Sequence, residues 1–158
     1  MLDTKYNSHK TAIKRSLLSA PLSELTIDPK IKKSDRLLDY GCGRGMDVVE
    51  LRHQRYNIVG YDPYQDGWRD ESVLKEKHYD IIFCTYVLNV VDASTRKDII
   101  GKVRRLLKPG GKAYFTVRRD LKENYRVTKI GTHQWQVYLP WTVRKQTSSY
   151  CIYEISNK

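Results

Sequence analysis

Acidic residues are scarce in this chain of 158 residues: 18 Asp and Glu stand against 29 Lys and Arg, a formal net charge of +11. A surface this basic is not built to attract cations. It suits polyanions, DNA and RNA foremost, while the plainer reading is an ordinary lysine-rich, soluble surface. The excess is spread along the chain and is densest at residues 30–36, 102–112 and 118–129. Cysteine is also scarce. Cys42, Cys84 and Cys151 are odd in number and far apart, which excludes a disulfide framework and a paired-thiolate metal site. Cys42 and Cys84 are expected as packed, reduced thiols. His9, His53, His78 and His133 are scattered without ligand spacing, so no metal is expected. Only His133 merits attention among them, because it precedes a strand near the expected site. No apolar run approaches the ~20 residues of a membrane span. The opening Met1–Tyr6 has no apolar segment of the signal-peptide kind. A cytoplasmic protein with no membrane partner is therefore expected. Internal repeats and low-complexity tracts are absent as well.

Two nucleotide fingerprints are missing. The dinucleotide pattern G-x-G-x-x-G requires glycine at position 46, where Met46 stands, which argues against NAD and FAD. The phosphate-binding P-loop needs a Gly-Lys-Ser/Thr that does not follow.

What is present is the stretch Leu37-Leu38-Asp39-Tyr40-Gly41-Cys42-Gly43-Arg44-Gly45-Met46-Asp47-Val48-Val49-Glu50-Leu51. It reads as a short buried strand, a turn with glycine at alternate positions, and a helix running from about Met46 to Arg55. Glycines Gly41, Gly43 and Gly45 let the backbone turn sharply and approach a ligand closely. In α/β folds such a turn binds nucleotides at the carboxyl end of a strand. Residues 56–64 read as a second strand ending at Asp62, stopped by Pro63. Asp62 lies 23 residues beyond Asp39, close to where a Rossmann unit places the carboxylate that accepts hydrogen bonds from ribose hydroxyls.

Only 17 residues separate Asp62 from Asp80, which is hardly room for a helix, a strand and their loops. A third strand is expected to be short or missing, with a loop or single helical turn in its place. Trp68, in this loop, has two readings: a face for a flat base, or a core contact. Ile81–Cys84 is a continuous apolar run of the kind that buried parallel strands require, delivering Thr85 and Tyr86 to the rim beside the glycine turn. A helix over 92–107 follows, with Ile99, Ile100, Val103, Leu106 and Leu107 on its apolar face and Lys108-Pro109-Gly110-Gly111 ending it. The strand 112–117 delivers Arg118, Arg119 and Asp120 to the same rim. Residues 135–139 and 150–155 alternate as strands and are expected to form a closing antiparallel pair, with a basic loop over 122–131 before them. Upstream, a helix is expected over Lys10–Leu25, broken or restarted at Pro21.

These motifs resemble the class I, Rossmann-like S-adenosylmethionine-dependent methyltransferases. The resemblance implies an α/β, three-layer fold with a mostly parallel sheet; the spacing after Asp62 makes the third strand short or missing, and the alternation at the end adds an antiparallel C-terminal strand pair. It implies one domain over 1–158: an N-terminal helical cap or substrate region over 1–34, a cofactor-binding core over 35–120, and C-terminal strands over 121–158. It implies S-adenosylmethionine as cofactor, held by Asp39, Gly41, Cys42, Gly43, Gly45, Asp62, Pro63, Cys84, Thr85 and Tyr86. An acidic residue at a strand end suits a cationic cofactor that carries no phosphate.

A narrower resemblance, to the bacterial methyltransferases associated with DNA phosphorothioation, rests on several stretches. They are Thr11–Ile13, Ser19–Leu22, Leu38–Gly45, Gly60–Tyr64, Tyr86–Val90, Val117–Asp120, Gly131-Thr132 with Gln134, and Val143-Arg144. It implies a link to DNA modification.

The expected activity is methyl transfer to a nucleic acid or a nucleotide-like acceptor. Tyr86, Asn89, Arg118 and Arg119 are the candidates for acceptor binding or proton removal. A small-metabolite acceptor and a cofactor-binding or DNA-binding partner without turnover are the alternatives. One departure bears on the chemistry. Where amino-directed DNA methyltransferases carry Asp/Asn-Pro-Pro-Tyr, this chain has Cys84-Thr85-Tyr86-Val87, and no Pro-Cys nucleophile is present for cytosine C5 chemistry.

Overall fold

The computed structural model describes residues 17–27 and 31–158. Its organising strand is β1 (Leu37–Tyr40), in which all four residues are buried. Successive side chains point to opposite faces. Leu37 packs with Leu22, Leu25, Val48 and Leu51, and Leu38 with Val91, Ile99 and Val103. A strand buried on both faces needs cover on both. The helices α1 (Ala20–Ile27) and α2 (Met46–His53) supply it on one side and α3 (Ala93–Leu106) on the other. The result is the three-layer α/β arrangement expected.

The main sheet has six strands in the order β2 (Ile58–Tyr61), β1, β3 (Tyr79–Thr85), β4 (Leu107–Arg118), β8 (Tyr150–Ser156), β7 (Thr142–Gln146). The first four run parallel; β8 is antiparallel to β4, and β7 to β8. Beyond β2 no strand is added. The short link from Asp62 to β3 holds only a 3-10 turn at Glu71–Val73, opened by Asp70 accepting a hydrogen bond from the Ser72 amide at 2.9 Å. The third strand is thus missing among the described residues, as the spacing required.

The closing pair differs from expectation in its members. Residues 135–139 do not pair with β8. Instead β6 (His133–Trp135) pairs antiparallel with β5 (Tyr125–Val127) in a separate two-stranded sheet, β5 lying within the stretch expected as a basic loop. The partner of β8 is β7, an outer strand whose residues are exposed or half-buried along its whole length. Such a strand carries charged residues instead of an apolar alternation, which is how sheet edges avoid further pairing. The Lys108–Gly111 turn also lies inside β4. Between the pairs Tyr79↔Leu107 and Ile81↔Lys112, β3 advances two residues and β4 five, so the turn bulges out of the ladder.

Local chemistry explains the helix ends. Asp92 caps α3 by accepting from the Thr95 amide at 2.8 Å, and Arg104 and Arg105 sit in its last turn, where positive charge is favoured. Pro21 lies in the first turn of α1, where its missing N–H costs nothing. The portion of the expected N-terminal helix before residue 17 lies outside the described residues. α1 is tied down at both sides: the Ser19 amide donates to Asp47 Oδ1 at 2.7 Å, and Glu24 pairs with Lys145 of β7 at 3.3 Å.

Candidate functional site

The carboxyl ends of β1, β2, β3 and β4 meet along one edge of the sheet. Gly41, Gly43 and Gly45 all adopt left-handed backbone angles there, with φ of 77°, 59° and 76°. The turn is fastened to β2, since the amides of Gly41 and Cys42 both donate to the Tyr61 carbonyl at 2.7 and 3.1 Å. Neighbours crowd it from both sides. A β-carbon on Gly41 would stand 2.5 Å from Val87 Cγ2, and one on Gly45 would stand 2.0 Å from Trp68 Cζ2. Glycine is required at both positions by conformation and by space.

Asp62 is brought to this turn. Its Oδ2 accepts from the Gly43 amide and its Oδ1 from the Tyr64 amide, both at 2.9 Å, and the group is buried. Pro63 occupies the turn immediately after it. Asp39 is also buried, close enough to raise the proton affinity of two thiols. The Cys42 thiol is pushed far up by burial first, then by Asp39 and Asp62. The Cys84 thiol is raised by burial and then by Asp39. Both thiols therefore stay protonated and act as packing groups, not nucleophiles.

The end of β3 carries unusual features. Tyr86 has a left-handed φ of 59°, a strained conformation for a bulky residue, and its amide donates to the Thr116 carbonyl at 2.8 Å. Thr85 is the register partner of Thr116. The hydroxyls of Thr85 and Thr116 and the side-chain carbonyl oxygen of Asn89 are buried without a hydrogen-bond partner. Buried polar groups are rarely left so; two of these lie near the ends of the adjacent strands β3 and β4 and the third in the turn Leu88–Val90 after β3, at the edge where a ligand can satisfy them.

Arg118 and Arg119 turn to opposite faces. Arg118 holds Asp120 in a two-pronged ion pair, Nε to Oδ1 at 2.8 Å and Nη2 to Oδ2 at 2.6 Å. That bond raises the arginine's proton affinity, with Tyr86 adding to it, and holds the Asp120 carboxyl below its usual range. Arg119 braces the opposite side. Its guanidinium donates to the Val137 carbonyl at 2.8 Å and the Tyr153 hydroxyl at 2.6 Å, and lies 4.4 Å from the centroid of the Tyr138 ring.

Trp68 takes the packing role. Its indole lies against Gly45 and Gly60 beside α2, and its N–H donates to the Arg44 carbonyl at 3.2 Å. Two contributors escaped the sequence reading. Thr116 sits inside what reads as an apolar strand, and Val87 gives no sign that it presses on Gly41. His133 lies on β6, which packs against the 3-10 turn Leu88–Val90 that follows β3.

Residues 9–154 match the family described as a methyltransferase domain. A curated relative is an uncharacterised methyltransferase of Synechocystis sp., 27% identical over 107 residues. That match covers 58% of this chain and 49% of the relative, so the chain spans about half the relative's length. Two solved structures share the fold. One is a Burkholderia thailandensis 1,6-didemethyltoxoflavin-N1-methyltransferase with bound S-adenosylhomocysteine, at a TM-score of 0.64 and 15% identity over 98% of this chain and 80% of that one. The other is the PH0226 protein of Pyrococcus horikoshii OT3, at a TM-score of 0.65 and 16% identity over 99% and 92%. With residues 9–154 matched, nearly its whole length, the chain belongs to the methyltransferase domain family.

Proposed function

We propose that this protein transfers a methyl group from S-adenosylmethionine to a nucleic acid or a nucleotide-like acceptor. The observation that carries the reading is the convergence of the glycine turn, two buried carboxylates and three orphaned polar groups on the carboxyl edge of the sheet. The residues present suit the cofactor. Asp39 offers negative charge to its amino group. Asp62, held at the glycine turn by the Gly43 and Tyr64 amides, offers carboxylate oxygens of the kind that accept from ribose hydroxyls. Gly41, Cys42, Gly43, Gly45 and Pro63 shape the cradle, and Cys84, Thr85 and Tyr86 form its wall at the end of β3.

When bound, the cofactor supplies an electrophilic sulfonium methyl, so the protein's task is alignment of the acceptor. Tyr86 and Asn89 stand at the strand end to orient the acceptor or take its proton. Arg118 supplies positive charge beside Tyr86. Arg119, already engaged by Val137 and Tyr153, serves best as the brace that keeps the following segment in place. The acceptor class rests on the net charge of +11. A link to DNA modification accords with the narrower sequence resemblance, and residues 1–34 are a candidate cap over the acceptor.

The test is transfer of a radiolabelled methyl group into separated pools of DNA, RNA, protein and small metabolites. Label in a nucleic-acid pool is the expected result. Label confined to metabolites would replace the acceptor class, and tight cofactor binding with no labelled product in any pool would mark a binding protein.

A further inference from the structure

The β5–β6 hairpin is the feature that the cofactor site leaves unexplained. Its strands alternate cleanly. Arg126 and Gln134 face inward, with Arg126 Nε donating to Gln134 Oε1 at 2.7 Å and Gln134 buried. Tyr125, Val127, His133 and Trp135 form the other face. On that face three rings cluster, two of the pairs tilted and one stacked. The centroid of Tyr125 is 5.7 Å from that of His133 and 5.2 Å from that of Trp135, and His133 and Trp135 stack at 6.0 Å. The Tyr125 hydroxyl and His133 Nδ1 are hydrogen-bonded, which fixes the two rings relative to each other. The face is open at its β5 side, where Tyr125 is 45% exposed and Val127 52%, while His133 and Trp135 are half-buried and Trp135 packs against the core.

Three properties set this face apart from an ordinary hairpin. First, three of its four residues carry rings, and its exposed β5 side presents Tyr125 and Val127 in place of charged residues. Secondly, the charge around it is mostly positive. Over residues 121–139, Lys122, Arg126 and Lys129 stand against the single acidic residue Glu123, and both lysines are exposed. Thirdly, its position is tied to the site. β6 packs against the 3-10 turn Leu88–Val90 that follows β3, and β5 begins a few residues beyond the carboxyl end of β4. The hairpin therefore stands beside the rim where Tyr86 and Arg118 lie.

We infer that the hairpin is a stacking platform for an unpaired nucleic-acid strand. The inference rests on the nucleic-acid reading proposed above and narrows it to single-stranded or locally opened acceptors. Every base has a flat face that an exposed ring can meet, and the flanking lysines match the phosphate backbone. Aromatic faces interleaved with cations are the chemistry by which proteins hold single strands without reading sequence. A duplex keeps its bases stacked inside and offers these rings nothing.

The experiment compares fluorescence anisotropy of a labelled 20-nucleotide single strand with that of its duplex, using the full chain with S-adenosylhomocysteine present. The proteins are wild type, Tyr125→Ala, Tyr125→Phe, a Lys122→Ala/Lys129→Ala pair, and Lys97→Ala on α3 as a control. Expected are preference for the single strand, a loss of about tenfold in Tyr125→Ala, near-wild-type binding in Tyr125→Phe, and a shallower salt dependence in the lysine pair. Tyr125 is exposed, so its variants should fold, and unchanged calorimetric binding of S-adenosylhomocysteine verifies that they do. Wild-type binding that all hairpin variants share, or a preference for duplex, overturns the platform and leaves the nucleic-acid reading standing. No binding of either form by wild type at low salt overturns both.

Discussion

The indole of Trp68 lies so close over Gly45 that a β-carbon at Gly45 would stand 2.0 Å from Trp68 Cζ2. The third glycine of the turn is thus fixed by a tryptophan from the shortened link after β2. Gly45 also has a φ of 76°, which a side chain disfavours. Gly45→Ala is expected to lose about 1–3 kcal/mol of stability from backbone strain and displacement of the indole. Thermal denaturation followed by tryptophan fluorescence measures it. An unchanged midpoint would mean that the indole moves aside freely.

Asp62 fastens the glycine turn through the Gly43 and Tyr64 amides. Replacing it with alanine removes the acceptors for the Gly43 and Tyr64 amides, and should cost about 1–3 kcal/mol if those donors are left unsatisfied. Asp62→Asn keeps one oxygen and should cost less. Both variants should bind S-adenosylhomocysteine more weakly by calorimetry at a temperature where they remain folded. Full affinity in Asp62→Ala would remove the ribose assignment and leave the residue a turn organiser.

Arg118 and Arg119 should separate stability from activity. Arg119→Ala loses two hydrogen bonds and the contact with Tyr138. A fall of about 1.5–3 kcal/mol is expected from bonds made by a charged group. Arg118→Ala loses a half-exposed ion pair, which contributes at most about 1 kcal/mol. It should keep its melting temperature and cofactor affinity while methyl transfer falls. Full transfer in Arg118→Ala would leave that pair a structural link at the start of a loop.

The Arg118–Asp120 pair also fixes a pH dependence. The Asp120 carboxyl is held below its ordinary value by the bond from Arg118. Its unfolded form therefore binds protons first on acidification, and the pair's contribution, complete above about pH 4, is lost as pH falls through the folded value. Urea denaturation at pH 6 and pH 3 should show a smaller pH effect in Asp120→Asn than in wild type. Equal pH effects would mean that the pair adds no stability.

The parts of this fold that were legible in the sequence are those where burial leaves a pattern. β1 and β3 are covered on both faces and read as apolar runs, and α3 shows its face at Ile99, Val103 and Leu106. The missing third strand followed from chain length alone. β7 was not legible, because an edge strand of Thr, Val, Arg, Lys and Gln needs no apolar alternation, whereas residues 135–139 have one and yet continue only one residue into β6. At the site, the glycines and Asp62 were legible because a conformation and a charge require particular residue types. The crowding by Val87 and Trp68 was not, because it depends on which segments meet.

Tyr86 offers the cleanest test of the chemistry proposed at the end of β3. Its backbone stands at a φ of 59°, held by the amide bond to the Thr116 carbonyl, and its ring packs against the core beneath α1 and α2. Tyr86→Phe preserves backbone, packing and ring and removes only the hydroxyl. If that hydroxyl positions the acceptor or relays its proton, with Arg118 steadying negative charge on it, turnover should fall by about a hundredfold. The melting temperature and S-adenosylhomocysteine affinity should not move. Because the variant changes one atom, a folding defect cannot account for such a loss. Turnover equal to wild type would assign Tyr86 to packing alone and leave Asn89 and Arg118 as the groups facing the acceptor.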